Sequence, residues 1–185
     1  MVNAYLALMH YPVYNKRREI IAAALTTIDM HDLARVARTY GLKGFFLVTP
    51  LEDQIQVAED MLKHWRQEWG DVYNRTRVEA LSLVYLAHDL NQAKERVTEE
   101  TGSYPLVVAT AAAEGPGRMP FSEMGPYLQG RRPLLIIFGT AWGLADEVLA
   151  ASDFVLEPVK GPTDYNHLSI RTAAGIILDR LFGVR

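Results

Sequence analysis

Leu134-Leu135-Ile136-Ile137-Phe138 is an unbroken apolar run that stops at Gly139. A strand with one wet face alternates apolar and polar residues. A run without alternation suits a strand covered on both faces, as in a parallel sheet flanked by helices. Short apolar runs recur along the chain, giving strand candidates at Val2–Met9, Gly44–Val48, Ser82–Ala87, Pro105–Ala109, Pro133–Phe138 and Phe154–Leu156. Between them the period changes. Ile55, Ala58, Leu62, Trp65 and Trp69 fall on one helical face before Gly70, as do Ile170, Ala173, Ala174, Ile177 and Leu181 before Gly183. This alternation predicts an α/β fold, a single open and mostly parallel sheet of about six strands flanked by helices, with right-handed crossovers. No repeat, low-complexity tract or long linker divides the sequence, so one domain over residues 1–185 is expected.

Composition removes whole classes. The chain has no cysteine, which excludes disulfide scaffolds, thiolate metal sites and cysteine nucleophiles together. With 49% apolar and 22% charged residues it can build a soluble core. No apolar run nears the ~20 residues of a membrane span, and the start lacks the basic and apolar regions of a secretory leader. The cytoplasm is therefore the expected compartment, with no membrane partner. Lys and Arg number 19 against 22 Asp and Glu, a formal charge of −3. Bulk charge does not recruit nucleic acid, which would need a local basic patch.

In open parallel sheets ligands sit beyond the carboxyl ends of the strands. That singles out the loops Thr49–Leu51, His88–Asn91, Thr110–Arg118, Gly139–Leu144 and Glu157–His167. No P-loop and no Gly-x-Ser-x-Gly elbow occurs, and Gly115 and Gly117 do not extend to Gly-x-Gly-x-x-Gly. The five histidines form no His-x-x-x-His pair, and His64 with Glu68 on one helical face reads as a solvated pair. No metal is expected.

Three segments carry more. In Asp29-Met30-His31-Asp32-Leu33-Ala34-Arg35-Val36-Ala37-Arg38-Thr39-Tyr40-Gly41, a helix buries Leu33, Val36, Ala37 and Tyr40 and turns His31, Arg35 and Arg38 outward. Two guanidiniums on one face, after a loop with Lys16, Arg17 and Arg18, suit a phosphate clamp or simply a solvated face. Phe138-Gly139-Thr140-Ala141-Trp142-Gly143-Leu144 is a buried strand running into a loop with two glycines, a turn that can wrap a nucleoside or merely connect strand to helix. Leu156 to Arg171 is a polar loop with two prolines held against the last helix, long enough for a functional role. Asn166 or His167 at that helix start serves either as a cap or as part of an anion site.

Together these segments, in this order, resemble the SPOUT class of S-adenosylmethionine-dependent RNA methyltransferases. Asp29–Gly41, with Arg35 six residues before Gly41, is similar to the first motif of its ribose-methylating branch. Phe138–Leu144 resembles the second motif and Leu156–Arg171 with Thr172-Ala173-Ala174 the third, while Val108-Ala109-Thr110 resembles a strand end entering the pocket. More narrowly, Asp29–Gly44, Gly139–Leu144, Asn166–Ser169 and Asp179-Arg180-Leu181 resemble a bacterial subfamily found alone or fused to tRNA guanine-N1 methyltransferase.

The resemblance implies a C-terminal trefoil knot, a homodimer, S-adenosyl-L-methionine as cofactor and an RNA substrate, tRNA or rRNA. It implies a cofactor pocket of Thr110, Phe138, Gly139, Thr140, Gly143, Leu156, Pro158, His167, Leu168 and Ser169. Arg35 would position the target phosphate or nucleophile, assisted by Arg38 and Arg171. Asp29, Ala141 and Ser169 stand where the ribose methyltransferases carry Asn, Glu and Asn, which leaves both a ribose 2′-oxygen and a base nitrogen open as acceptor. The alternative is a cofactor-binding but catalytically idle RNA-binding module that assists a partner tRNA methyltransferase.

Overall fold

A computed structural model of the chain describes residues 2–65 and 75–184. Its elements run β1 (Ala4–Met9), β2 (Val13–Tyr14), β3 (Ile20–Ile21), α1 (Thr27–Thr39), β4 (Gly44–Val48), α2 (Glu52–Lys63), α3 (Arg75–Leu81), β5 (Val84–Ala87), α4 (Leu90–Thr101), β6 (Leu106–Ala109), α5 (Gly125–Leu128), β7 (Leu134–Gly139), α6 (Asp146–Ala150), β8 (Phe154–Val155) and α7 (Ile170–Phe182). Six strands form one sheet in the order β5-β4-β1-β7-β6-β8, and every pairing is parallel. The expected α/β sheet is the observed one.

The apolar runs explain the arrangement. All of β1 and β4, and β7 as far as Phe138, are buried, so these strands fill the middle of the sheet. Alternate residues feed two cores. Leu6, Leu8, Phe45, Leu47, Ile136 and Phe138 pack with Met30 and Leu33 of α1 and with Ile177, Leu178 and Leu181 of α7. Tyr5, Ala7, Met9, Phe46, Leu135 and Ile137 pack on the other side with Ala93 and Val97 of α4 and Val148 of α6. Strand boundaries move by at most two residues from the expected ones, and those of Gly44–Val48 do not move. Pro133, which lacks an N–H, stays outside β7, while its carbonyl accepts from Leu106 at 2.8 Å.

Three local readings change. The hairpin of β2 and β3 is an extra antiparallel pair. The buried side of α1 is Met30, Leu33, Ala34 and Ala37, with Val36 and Tyr40 only partly covered, because α3 and α7 wedge its flanks. The continuation of α2 toward Glu68, Trp69 and Gly70 lies outside the described residues.

From β1 the sheet grows one way through β4 and β5 and the other way through β7, β6 and β8. The reversal falls between β1 and β7, where Met9 pairs with Gly139. A crevice at the carboxyl ends of such strands is the natural ligand position.

Candidate functional site

Three neighbouring strands, β7, β6 and β8, deliver their carboxyl ends to one edge of the molecule. Thr110 leaves β6 buried, and its N–H and Oγ1 both donate to the Ile137 carbonyl, at 3.0 and 3.1 Å. Thr140 is fixed in the same way, with its N–H at 3.1 Å and Oγ1 at 3.0 Å from the Met9 carbonyl. Gly139 is obligatory for packing: a Cβ there would lie 2.5 Å from the Leu144 nitrogen and 2.9 Å from the Gly143 carbonyl carbon. Gly143 is obligatory for conformation, at φ 97°, and a Cβ there would meet nothing within 4 Å, so that side of the loop is open.

Beyond β8, Leu156 and Pro158 are buried and form a floor. The Leu156 N–H donates to Ala109 at 2.9 Å, while the Met119 N–H donates to Val155 and the Glu157 N–H to Met119. Val155–Glu157 is thus held on both sides by the two ends of one loop, 110–118. Asn166 Nδ2 donates to the Ala112 carbonyl at 2.8 Å and Lys160 pairs with Glu114, tying the long polar loop to the same segment. His167 and Leu168 are exposed, and Ser169 caps α7 by accepting from the Thr172 N–H at 3.3 Å. Of the predicted pocket residues, Phe138, Gly139, Thr140, Thr110, Leu156 and Pro158 lie at or just past three neighbouring strand ends, while His167, Leu168 and Ser169 lead into α7, with Asn166 bonded to the 110–118 loop. A cleft of about 390 Å³ lined by Arg118, Glu157, Lys160 and Arg180 meets this cradle at Pro158.

The extra hairpin is zipped onto the glycine loop. Tyr14 N–H donates to the Gly143 carbonyl and Trp142 N–H to the Tyr14 carbonyl, both at 2.9 Å; Ala145 N–H donates to Pro12 at 3.1 Å. Val13 bridges Leu144, and the Tyr11–Pro12 peptide is cis.

The three arginines have different surroundings. Arg171, at the start of α7, donates from Nη1 to Asp29 Oδ1 at 2.6 Å, with Nε 3.3 Å from Asp32 Oδ2. It locks the beginnings of α1 and α7 together. Arg38 is tied to Glu79 of α3, whose carboxyl it holds below its usual range. Arg35 is exposed between them, and its guanidinium makes no hydrogen bond or ion pair among the described residues. His31, one turn before, packs edge-on against Trp65 at 5.5 Å, and its pKa is lowered by burial and then by Arg77.

His10 was not singled out from the sequence. It follows β1, is fully buried, and neither ring nitrogen has a well-aligned hydrogen-bond partner. Burial lowers its pKa; Asp29 and the Leu8 and Val48 carbonyls pull the other way without prevailing. A histidine directly after a strand running toward the switch point is the signal that could have found it.

The fold is shared with a probable methyltransferase from Bordetella pertussis (TM-score 0.63, 14% identity, 97% of this chain and 94% of that one). It is shared too with a TrmH/SpoU tRNA-modifying enzyme from Aquifex aeolicus (TM-score 0.56, 12% identity, 98% and 74%). The fold is thus that of the SPOUT methyltransferases.

Residues 3–183 match the family model described as SAM-dependent RNA methyltransferase, and the chain belongs to that family. A tRNA (guanine-N(1)-)-methyltransferase from Nitratidesulfovibrio vulgaris is 44% identical over 181 residues, 98% of this chain but 42% of that protein. The chain thus spans about two fifths of the length of that relative. An uncharacterized protein from Aquifex aeolicus is 40% identical over 181 residues, 97% of this chain and 88% of that one. The family defines an enzyme whose cofactor is S-adenosyl-L-methionine and whose substrate is RNA. It does not favour the catalytically idle reading.

Proposed function

We propose that this chain is a single methyltransferase unit, working as a homodimer in the cytoplasm, that methylates a nucleotide of tRNA, with rRNA as the other substrate class. The observation that supports the site assignment is the placement of Thr110, the Gly139–Gly143 loop and Leu156–Pro158 at three adjacent parallel strand ends, with Asn166 tying the segment before α7 to the 110–118 loop. No helix among the described residues is long and apolar enough to cross a membrane. The relative named as a tRNA methyltransferase supports the tRNA substrate and an association with tRNA guanine-N1 methyltransferase activity.

The cradle fits a nucleoside cofactor. Gly139 brings main chain to main chain, the Gly143 side is open, and Leu156 and Pro158 supply an apolar floor. Phe138, Gly139, Thr140, Gly143, Thr110, Leu156, Pro158, His167, Leu168 and Ser169 would hold it. When bound, S-adenosylmethionine supplies an electrophilic methyl group. The protein's share is mainly orientation, with acid–base help worth ~10²–10⁴-fold at most.

Arg35, exposed on α1, positions the target phosphate or nucleophile. Arg171 aligns α1 with the cofactor-side helix through Asp29 and Asp32, and Arg38 steadies the far end of α1 through Glu79. The flanking of Val155–Glu157 by both ends of the 110–118 loop supports the C-terminal trefoil knot.

Calorimetry of the cofactor-stripped protein with S-adenosylmethionine tests the pocket. Binding that Gly139→Arg abolishes is expected; absence of binding at saturating cofactor removes the assignment. Arg35→Ala should keep cofactor affinity and lose at least about 100-fold in methyl transfer to RNA, as an orientation role requires. Loss of cofactor binding instead would make Arg35 a structural residue.

A further inference from the structure

We infer that the β2–β3 hairpin and Trp142 together form a docking surface for unpaired RNA, built onto the back of the cofactor loop. The inference rests on the RNA-methyltransferase reading above and adds where, and in what form, the substrate is gripped. Lys16, Arg17 and Arg18 are consecutive cations in a chain whose net charge is −3. They sit on a turn that is thoroughly constructed. Asn15 Oδ1 accepts from the Arg17 and Glu19 N–H groups at 2.8 and 3.0 Å, and the Asn15 N–H donates to the Glu19 carbonyl at 3.0 Å. Arg18 takes the left-handed conformation, φ 61°, that closes such a turn.

The carboxylates of this framework are engaged, Glu19 by Asn15 Nδ2 at 2.7 Å and Asp146 by Arg18 at 2.8 Å. Lys16 and Arg17 are exposed and make no ion pair among the described residues. They are cations presented on a fixed turn, which suits phosphate.

Flat groups lie beside them. The Arg18 guanidinium sits 4.5 Å from the Tyr14 ring centroid, leaving its outer face to solvent. Trp142 is 64% exposed. Its main chain is held by the Tyr14 carbonyl and by Ala141 at φ 51°, so a large apolar ring is kept in water by a rigid loop. Unstacked bases lie on aromatic rings and guanidinium planes while phosphates meet nearby cations. A duplex keeps its bases stacked on one another and out of reach of such planes. The surface therefore selects single-stranded RNA, the condition of a tRNA or rRNA loop.

The test is fluorescence anisotropy with labelled oligoadenylate of about 16 nucleotides, long enough for one binding groove, beside a fully paired RNA of the same length. Cofactor calorimetry and light scattering are run on the same samples. Lys16→Glu with Arg17→Glu should weaken oligoadenylate binding at least about tenfold and flatten the salt slope by about 1.4, two phosphate contacts at ~0.7 each. Cofactor affinity should be unchanged in that variant. Trp142→Ala should weaken the single strand about tenfold and leave the duplex unaffected.

Wild-type binding to both charge and aromatic variants overturns the surface, as does equal preference for duplex, while intact cofactor binding leaves the parent reading standing. A Trp142→Ala protein that falls from dimer to monomer also overturns it, by showing that a second copy covers the ring. Absence of any cofactor binding in the wild type marks failure of the parent reading instead.

Discussion

His10 occupies the most constrained position of any ionisable side chain described. It is buried at the end of the central strand, behind Asp29, and its pKa lies below the ordinary 6.5 because burial penalises the charged ring. In the unfolded chain the ring protonates normally. The neutral native form therefore contributes stability above pH 6.5, and that contribution is lost as pH falls below 6.5 toward the folded-state value. His31 shifts in the same direction and adds to the trend. Unfolding free energies from urea titrations should fall between pH 7 and pH 5, with a slope of up to ~1.4 kcal/mol per pH unit from buried His10 and a smaller, solvent-screened one from His31. His10→Gln should remove a large part of that slope. An unaltered slope in the variant would show that His10 does not govern acid stability.

At the scale of elements, what could be read from the sequence followed from burial. Runs such as Leu134–Phe138 and Gly44–Val48 have one physical outcome, because only a doubly covered strand hides them. Val13–Tyr14 and Ile20–Ile21 carry no such signal. They become strands by pairing with each other and with Leu144, residues that meet only after the sheet has closed. The same holds for Arg171, whose partners Asp29 and Asp32 lie some 140 positions away. Residue types on α1 marked its arginines, yet which of them is tethered depends on Glu79 and on α7. The loops of the cradle could be located from glycine and proline placement; the hairpin locked to them could not.

That lock has a measurable effect. Asn15→Ala exchanges the exposed side-chain bonds that shape the turn for bonds to water, at a net cost of about 0.5–1.5 kcal/mol. Because Tyr14 and Gly143 are bonded, the loosened hairpin should lower cofactor affinity several-fold without touching the cradle. Equal affinity by calorimetry, with a lowered melting temperature, would show that the two loops move independently.

For the whole molecule, the proposed dimer predicts a solution mass of twice 20.8 kDa by light scattering. A monomer at all concentrations would remove any site shared between copies.

The position of β1 also bears on how the protein is made. Within this fold β1 is made before both of its partners, Gly44–Val48 on one side and Leu134–Gly139 on the other. At the usual pace of synthesis, the second partner follows on the order of ten seconds after the first strand leaves the ribosome. Through that interval an apolar strand has one edge paired and the other bare, the kind of edge that invites pairing with a neighbouring nascent chain. Successful production in the cell therefore turns on protecting a half-built sheet, and chaperone supply or slower translation should change soluble yield more than any surface substitution.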